Sequence, residues 1–115
     1  MYARTVKLHL KPNSVSEFTR TFEKDILPLL QKQDGFKDEI TFVASDRDEA
    51  IAISLWDRQE NAEAYSRETY PMVLQKLARV VEGTPQVESY EVANSTFHKI
   101  GASQSQSFNQ PGASR

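Results

Sequence analysis

The stretch SLWDRQENAEAY, residues 54–65, passes from the pattern of a strand to the pattern of a helix. The run AIAISLW over residues 50–56 alternates and ends at Trp56. After the polar residues that follow, Asn61 and Tyr65 lie one helical turn apart, a spacing that places two side chains on the same helix face. Trp56 at the end of the strand and Asn61 and Tyr65 on the helix therefore line either a functional site or the hydrophobic core.

Outside this stretch, alternation with a period of two predicts strands, and apolar residues three or four positions apart predict helices. Pro28 removes one hydrogen bond from the first helix, so we expect a kink or a broken last turn there. The predicted elements are strands at residues 2–10, 36–45, 50–56 and 86–99, and helices at 15–33, at 59–67 and from Pro71 to a cap at Gly83. This order predicts a ferredoxin-like βαββαβ fold of the α+β class, in which a four-stranded antiparallel sheet carries its helices on one face.

The face of such a sheet that carries no helices, the open face, must contact either solvent or a partner. We expect Ile51, Ile53 and Leu55 to lie on the covered face, toward the helices. The residues expected on the open face are His9, Thr41, Val43, Ala52, Ser54, Trp56, Tyr90 and Val92. That set is too apolar to meet water alone, and a contiguous apolar patch usually meets a partner. The simplest partner is a second copy of the chain, so we expect a homodimer packed sheet against sheet.

Composition excludes several classes of function. The chain has 115 residues, a formal net charge of −2 and no cysteine. Thiolate catalysis, disulfides and cysteine-bound metals are therefore excluded. Scattered Lys and Arg predict no nucleic-acid partner. No apolar run approaches the ~20 residues of a membrane span, so we expect no membrane partner and a cytoplasmic protein.

The two histidines, the acidic run before the third strand and the C-terminal residues lead to three further expectations. His9 and His98 have no carboxylate at ligand spacing, so no metal site is expected. The acidic run at residues 46–49 is typical of a solvated hairpin tip. We expect one domain over residues 1–98, and residues 99–115 have the composition of a disordered, low-complexity tail.

Together, the element order, the LP in DILPLLQKQDGF and the run LWDRQENAEAY resemble the antibiotic biosynthesis monooxygenase domain of the dimeric α+β barrel superfamily. The resemblance covers about residues 2–98. It implies a dimer with a pocket in each subunit between the sheet and the helices. In that pocket we expect Val6, Leu8, Trp56 and Leu74 to contact the substrate.

Two branches of the family imply different chemistry. The haem-degrading members place an Asn, a Trp and a His at positions that here hold Val6, Tyr65 and Gln75, so haem degradation is not expected. The quinone-forming members, which oxidise polyphenols with O₂ and no cofactor, resemble the chain more closely. Asn61 matches their Asn, Tyr65 replaces their Trp, and Tyr70 falls one position short of their Tyr.

The resemblance therefore implies a cofactor-independent monooxygenase that acts on a small aromatic, polyphenol or quinol substrate. Asn61 would donate a hydrogen bond to the substrate oxyanion, and Tyr65 or Tyr70 would bind the substrate and relay a proton. The alternative is a non-catalytic, ligand-binding or structural homodimer of the same fold. In that case Tyr65 packs against the sheet, Tyr70 shapes a turn, and Trp56 belongs to the core or the interface.

Overall fold

The computed structural model describes residues 1–100, so most of the predicted tail, from residue 101 onward, lies outside the described residues. Four strands and four α-helices follow one another in the predicted order, with a π-helical turn between the first two helices. They are β1 (Tyr2–Leu10), α1 (Val15–Thr21), a π-helical turn (Phe22–Ile26), α2 (Leu27–Gln31), β2 (Phe36–Ala44), β3 (Glu49–Trp56), α3 (Gln59–Glu68), α4 (Tyr70–Leu77) and β4 (Val81–Glu91). The sheet is antiparallel with strand order β2-β3-β1-β4, which confirms the ferredoxin-like α+β fold.

The first helical region changes its winding just before Pro28. Leu27 donates its N–H to the carbonyl oxygen of Phe22, five residues back, which is the π-helical spacing. Proline has no N–H, and its ring crowds the carbonyl of the preceding turn, so a wider turn relieves that clash. The predicted interruption thus takes the form of a π turn. It leaves both Phe22 and Ile26 buried against the sheet.

The prediction for the two faces of β3 was wrong. Ala50, Ala52, Ser54 and Trp56 are buried toward the helices, because Val6 of β1 pairs with Ala52 and fixes the phase of the strand. Five further open-face assignments were made outside β3. Of these, Thr41 and Val43 pair with the covered residues Ala52 and Ala50, while His9 and Tyr90 do lie on the open side. The fifth, Val92, lies one residue beyond the end of β4.

The open face is apolar over the hairpin instead. Ile51, Ile53 and Leu55 point there from β3, and they are joined by Ile40 and Phe42 of β2, which pair with Ile53 and Ile51. Ile40 is 51% exposed and Phe42 is 53% exposed. The large side chains of the hairpin therefore face away from the core of the single chain.

The last strand begins five residues earlier than predicted and ends at Glu91. Helix α4 stops at Leu77, and Gly83 lies inside β4 with a φ of +70° rather than capping a helix. The pairing of β4 with β1 shifts register between Lys7 and His9, opposite this segment. A left-handed glycine permits such a bulge without strain, so a glycine that resembled a helix cap serves a strand.

Beyond β4 the chain returns toward β2. Val92 donates its N–H to the carbonyl oxygen of Met1, and the His98 ring nitrogen Nε2 lies 2.5 Å from the Asp38 carboxylate. Phe97 and His98 thereby border the apolar half of the open face. Within residues 1–100, none of the helices has the length and apolar character needed to cross a membrane.

Candidate functional site

A cavity lies between the covered face of the sheet and the helices. Its wall combines β1, β2 and β3 with the π turn, α2, α3 and α4. The lining residues are Arg4, Val6, Leu8, Phe22, Ile26, Leu30, Glu39, Ala52, Ser54, Tyr65, Tyr70, Val73, Leu74 and Leu77. The centres of water molecules have about 30 Å³ available inside, which is space for one or two waters.

The cavity exists because the central strand carries small side chains beneath the helices. Ala52 and Ser54 occupy the floor, where the neighbouring strand carries Val6 and Arg4. Larger residues at these two positions would fill the space, since interiors otherwise pack without voids. On the opposite wall, the π turn directs Phe22 and Ile26 inward, and π turns often occur beside functional sites.

Among the described residues that line this cavity, Arg4 is the only basic one. It is only 3% exposed, and none of the ion pairs found within residues 1–100 includes it. The central carbon of its guanidinium lies 4.1 Å from the ring centre of Tyr70 and 5.2 Å from that of Tyr65. Burial lowers the pKa of Arg4, and the two tyrosines oppose that change. Arginine nevertheless stays charged, so the cavity contains a positive charge.

The hydrogen bonding of Arg4 is sparse. Among the described residues its side chain makes one hydrogen bond, from Nη2 to Ser66 Oγ at 3.4 Å. A guanidinium has five N–H donors, so most of its donor capacity remains for another group. Such a group would need to be an acceptor, and an anion would also balance the charge.

Aromatic rings continue outward from Arg4 in a row. Tyr70 packs on Tyr65 with 6.3 Å between ring centres, Tyr65 on Trp56 with 5.1 Å, and Trp56 on Phe36 with 5.6 Å. Burial raises the pKa of Tyr65 to about 12 and also raises the pKa of Tyr70. The charge of Arg4 opposes both rises, and its close approach to the Tyr70 hydroxyl further opposes the second. Both tyrosines are therefore neutral phenols at neutral pH. The Tyr70 hydroxyl is buried beside the Arg4 guanidinium, but the contact falls short of hydrogen-bond geometry, so the hydroxyl has no hydrogen-bond partner among the described residues.

Glu39 brings a carboxyl group into the same cavity from β2. It pairs with Ser54, which pairs with Arg4, so the three residues form a row across three strands. At about 4.8 Å per strand, the α-carbons of Glu39 and Arg4 are about 10 Å apart. Thr41 Oγ1 donates a hydrogen bond to Glu39 Oε2 at 2.5 Å. Burial raises the pKa of Glu39, and the Thr41 hydrogen bond partly offsets that rise.

No family model matches the chain, and no curated protein matches its sequence. Solved structures do match it. NE2512 from Nitrosomonas europaea, a protein of unknown function, has a TM-score of 0.70 at 16% identity, over 83% of this chain and 91% of its own. SnoaB, a cofactor-independent oxygenase from Streptomyces nogalater, has a TM-score of 0.68 at 12% identity, over 83% and 95%.

A third structure, from Bordetella bronchiseptica, is assigned as an antibiotic biosynthesis monooxygenase. Its TM-score is 0.67 at 11% identity, over 79% of this chain and 95% of its own. The chain has the fold of the antibiotic biosynthesis monooxygenases. Identity this low establishes the shared fold, and function must be argued from the cavity.

The monooxygenase fold brings most of the predicted site residues together. Those that line the cavity are Val6, Leu8, Tyr65, Tyr70 and Leu74. Trp56 lies behind this wall, fully buried, where its Nε1–H donates to Ser54 Oγ at 2.9 Å. Asn61 packs against the α-carbon of Gly35, where an added Cβ would lie 2.2 Å from the Asn61 amide oxygen. Within the described residues, the cavity lining includes neither Asn61 nor Trp56.

Sequence reasoning missed the two ionisable groups at the ends of the row. Arg4 shares the phase of the buried Val6, Leu8 and Leu10 on β1, so strict alternation already places a cation on the covered face. Glu39 had no comparable signal, because β2 has a bulge between Phe36 and Asp38 that changes its phase. For metals, no group of three or more potential ligands occurs within residues 1–100.

Proposed function

We propose that the chain is a cofactor-independent monooxygenase that oxidises a small phenol, quinol or related aromatic compound with O₂. The observation that supports this proposal is the Arg4 guanidinium, which is buried in a cavity lined in part by aromatic rings and has no carboxylate partner within residues 1–100. A buried unpaired charge costs several kcal/mol, and a substrate phenolate or enolate would compensate it. Similarity in fold to SnoaB, itself a cofactor-independent oxygenase, points in the same direction.

In the proposed reaction, loss of a proton turns the substrate into an anion that passes one electron to O₂. Arg4 stabilises the negative oxygen of that anion, since fixed donors in a dry site act more strongly than water does. Tyr65 and Tyr70 remain protonated and donate hydrogen bonds. The two radicals combine into a hydroperoxide at the ring carbon, which then loses water. Overall, a CH₂ group and O₂ become C=O and H₂O.

The substrate must widen the cavity to enter. The space of about 30 Å³ holds water but no aromatic ring. Tyr70 and Leu74 are the half-buried members of the helical wall, and we propose that they move aside when the ring binds. The buried Tyr70 hydroxyl, which lacks a partner among residues 1–100, would then gain one in the bound substrate.

We also propose that the active form is a homodimer. Ile40, Phe42 and Ile51 are exposed side by side on the open face. A patch of large aliphatic and aromatic residues of this kind is a frequent subunit interface, and a twofold pair of such sheets would bury it on both chains.

The first test is oxygen consumption by metal-free, flavin-free protein against a panel of reduced quinones and anthrones. We expect a substrate-dependent rate that falls about 10²-fold or more in Arg4→Met, the usual effect of removing an oxyanion donor. Arg20→Met, which removes an exposed arginine of α1, is the matched control and should retain the rate. Tyr65→Phe and Asn61→Ala test the predicted roles of these two side chains in the same assay.

The second candidate is a non-catalytic dimer that binds an aromatic anion. The small volume of the cavity favours it, because a single aromatic ring requires less widening of the cavity than a polycyclic quinol does. Binding of 4-nitrophenol separates the two functions, since its anion is coloured. Binding of the anion by the wild type with no oxygen consumption across the panel would support this second candidate. A wild-type protein that neither binds the anion nor consumes oxygen would contradict both candidate functions.

A further inference from the structure

Glu39 lies in the wall between two spaces. On one side is the cavity that contains Arg4. On the other is a groove of about 250 Å³ between α1, the π turn and β2, which Glu39 shares with Glu23, Thr41 and Val43. Phe22 is the other residue common to both spaces. A carboxyl group at this position can meet a substrate on one side and solvent on the other.

The proposed reaction requires a proton acceptor, and the cavity offers few. Its titratable residues, as far as residues 1–100 go, are Arg4, Glu39, Tyr65 and Tyr70. Arg4 is a cation with no lone pair to offer. The two tyrosines keep their protons at neutral pH, because burial raises the pKa of each. Glu39 alone among them has a carboxylate that can accept a proton, and burial raises its pKa, which makes it a stronger base.

We propose that Glu39 is the general base that takes the substrate proton, with Arg4 holding the oxygen on which the negative charge appears. This inference rests on the proposed function. The two groups stand at opposite ends of the row Glu39–Ser54–Arg4, about 10 Å apart at their α-carbons. Once Tyr70 and Leu74 have moved aside, an aromatic ketone would lie between them with its oxygen toward Arg4 and an acidic C–H toward Glu39.

The proton transfer is balanced without any further reactant. The Glu39 carboxylate takes H⁺ from the substrate carbon, the C–H bonding pair becomes the enolate, and the charge moves to the oxygen beside Arg4. The protonated Glu39 then returns its proton to water through the groove. In D₂O and without O₂ the net reaction is exchange, in which one C–H becomes C–D and one D₂O becomes HOD.

Several charged and titratable groups surround Glu39 and contribute to its pH dependence. They are Arg4 and Tyr65 across the cavity, Glu23 in the groove, and Asp38 and His98 at the adjoining surface. Thr41 donates the one hydrogen bond that the Glu39 carboxylate accepts from a described residue. This bond fixes one oxygen of the carboxylate and leaves the other for the proton.

The test is anaerobic hydrogen–deuterium exchange of anthrone and of 2-indanone, followed by NMR. We expect the wild type to accelerate exchange with at least one of these ketones. We expect Glu39→Gln to lose at least 10²-fold of that acceleration, the usual contribution of a general base. Glu39→Asp should retain part of it, with a shifted pH profile. Glu82→Gln, at an exposed carboxyl of β4 on the sheet edge opposite β2, is the matched control and should exchange as fast as the wild type.

The outcomes distinguish this inference from the function on which it rests. Full exchange by folded Glu39→Gln, with 4-nitrophenol still bound, would overturn the role of Glu39 and leave the oxygenase untouched. Neither exchange nor oxygen consumption by the wild type would reject the oxygenase, and the base with it. A Glu39→Gln protein that binds 4-nitrophenol as the wild type does, but neither exchanges nor consumes O₂, would support the assignment.

Discussion

Replacing Arg4 by Met should stabilise the fold while it removes ligand binding. The wild-type protein buries an unpaired guanidinium at a cost of several kcal/mol. Two cation–π contacts, at 4.1 and 5.2 Å, offset part of that cost. At up to about 2 kcal/mol each when desolvated, they recover about 2–4 kcal/mol. Met fills a similar volume without charge, so we expect a net gain of about 1 kcal/mol or slightly more.

The assay is thermal and urea unfolding of Arg4→Met beside Arg20→Met. For a domain of this size, 1 kcal/mol raises Tm by about 4–8 °C, whereas the exposed Arg20 should change it little. In parallel, 4-nitrophenol should bind to the wild type as its anion and should not bind to Arg4→Met in this form. A fall in Tm of about 4 °C or more in Arg4→Met would refute the reasoning, because it would make Arg4 a structural residue.

Three further predictions concern other side chains. Tyr65 keeps its proton to about pH 12 when folded but to about pH 10 when unfolded, so its contribution to stability is lost as pH rises through this range. Between pH 9 and 12, the free energy of unfolding in urea should therefore fall by about 2–3 kcal/mol less for Tyr65→Phe than for the wild type. Equal falls in the two proteins would contradict this prediction. Burial raises the pKa of Glu39 above 4.5, so its protonated form stabilises the fold below that pH and the contribution disappears as pH rises through the folded pKa. From pH 4 to pH 8, the free energy of unfolding of Glu39→Gln should thus rise relative to that of the wild type. If the difference between the two proteins did not change with pH, the buried Glu39 carboxyl would be excluded as its cause. Phe42→Asp should yield monomers in light scattering, whereas Met72→Glu, at an exposed apolar residue of α4, should not; a dimeric Phe42→Asp would place the interface elsewhere.

Sequence periodicity predicted the fold because the elements have strong local patterns. Val6, Leu8 and Leu10 alternate so regularly on β1 that no other assignment fits. Periodicity cannot tell which side of a strand faces the helices when both sides are apolar. On β3, large residues were expected in the core, yet the pairing of Val6 with Ala52 places the small ones there.

The site was harder to predict, because its key groups are polar residues in positions typical of the core. Tyr65 and Tyr70 were accessible to family resemblance, and both line the cavity. Arg4 and Glu39 come together only through strand pairing, since they lie on different strands with Ser54 between them. The position of Asn61 beside Gly35 depends on a turn whose path no local pattern specifies.

The two faces of β3 connect the cavity with the proposed dimer. Ala50, Ala52 and Ser54 are too small to fill the space under the helices, and that deficiency creates the cavity. Ile51, Ile53 and Leu55 carry the apolar surface that a single chain leaves on the open face. A shift of one residue in the register of β3 would exchange these sets, closing the cavity and removing the apolar patch together. A partner that covers the open face therefore stabilises the one register in which Ser54 lies between Glu39 and Arg4, so we expect assembly and ligand binding to be thermodynamically linked.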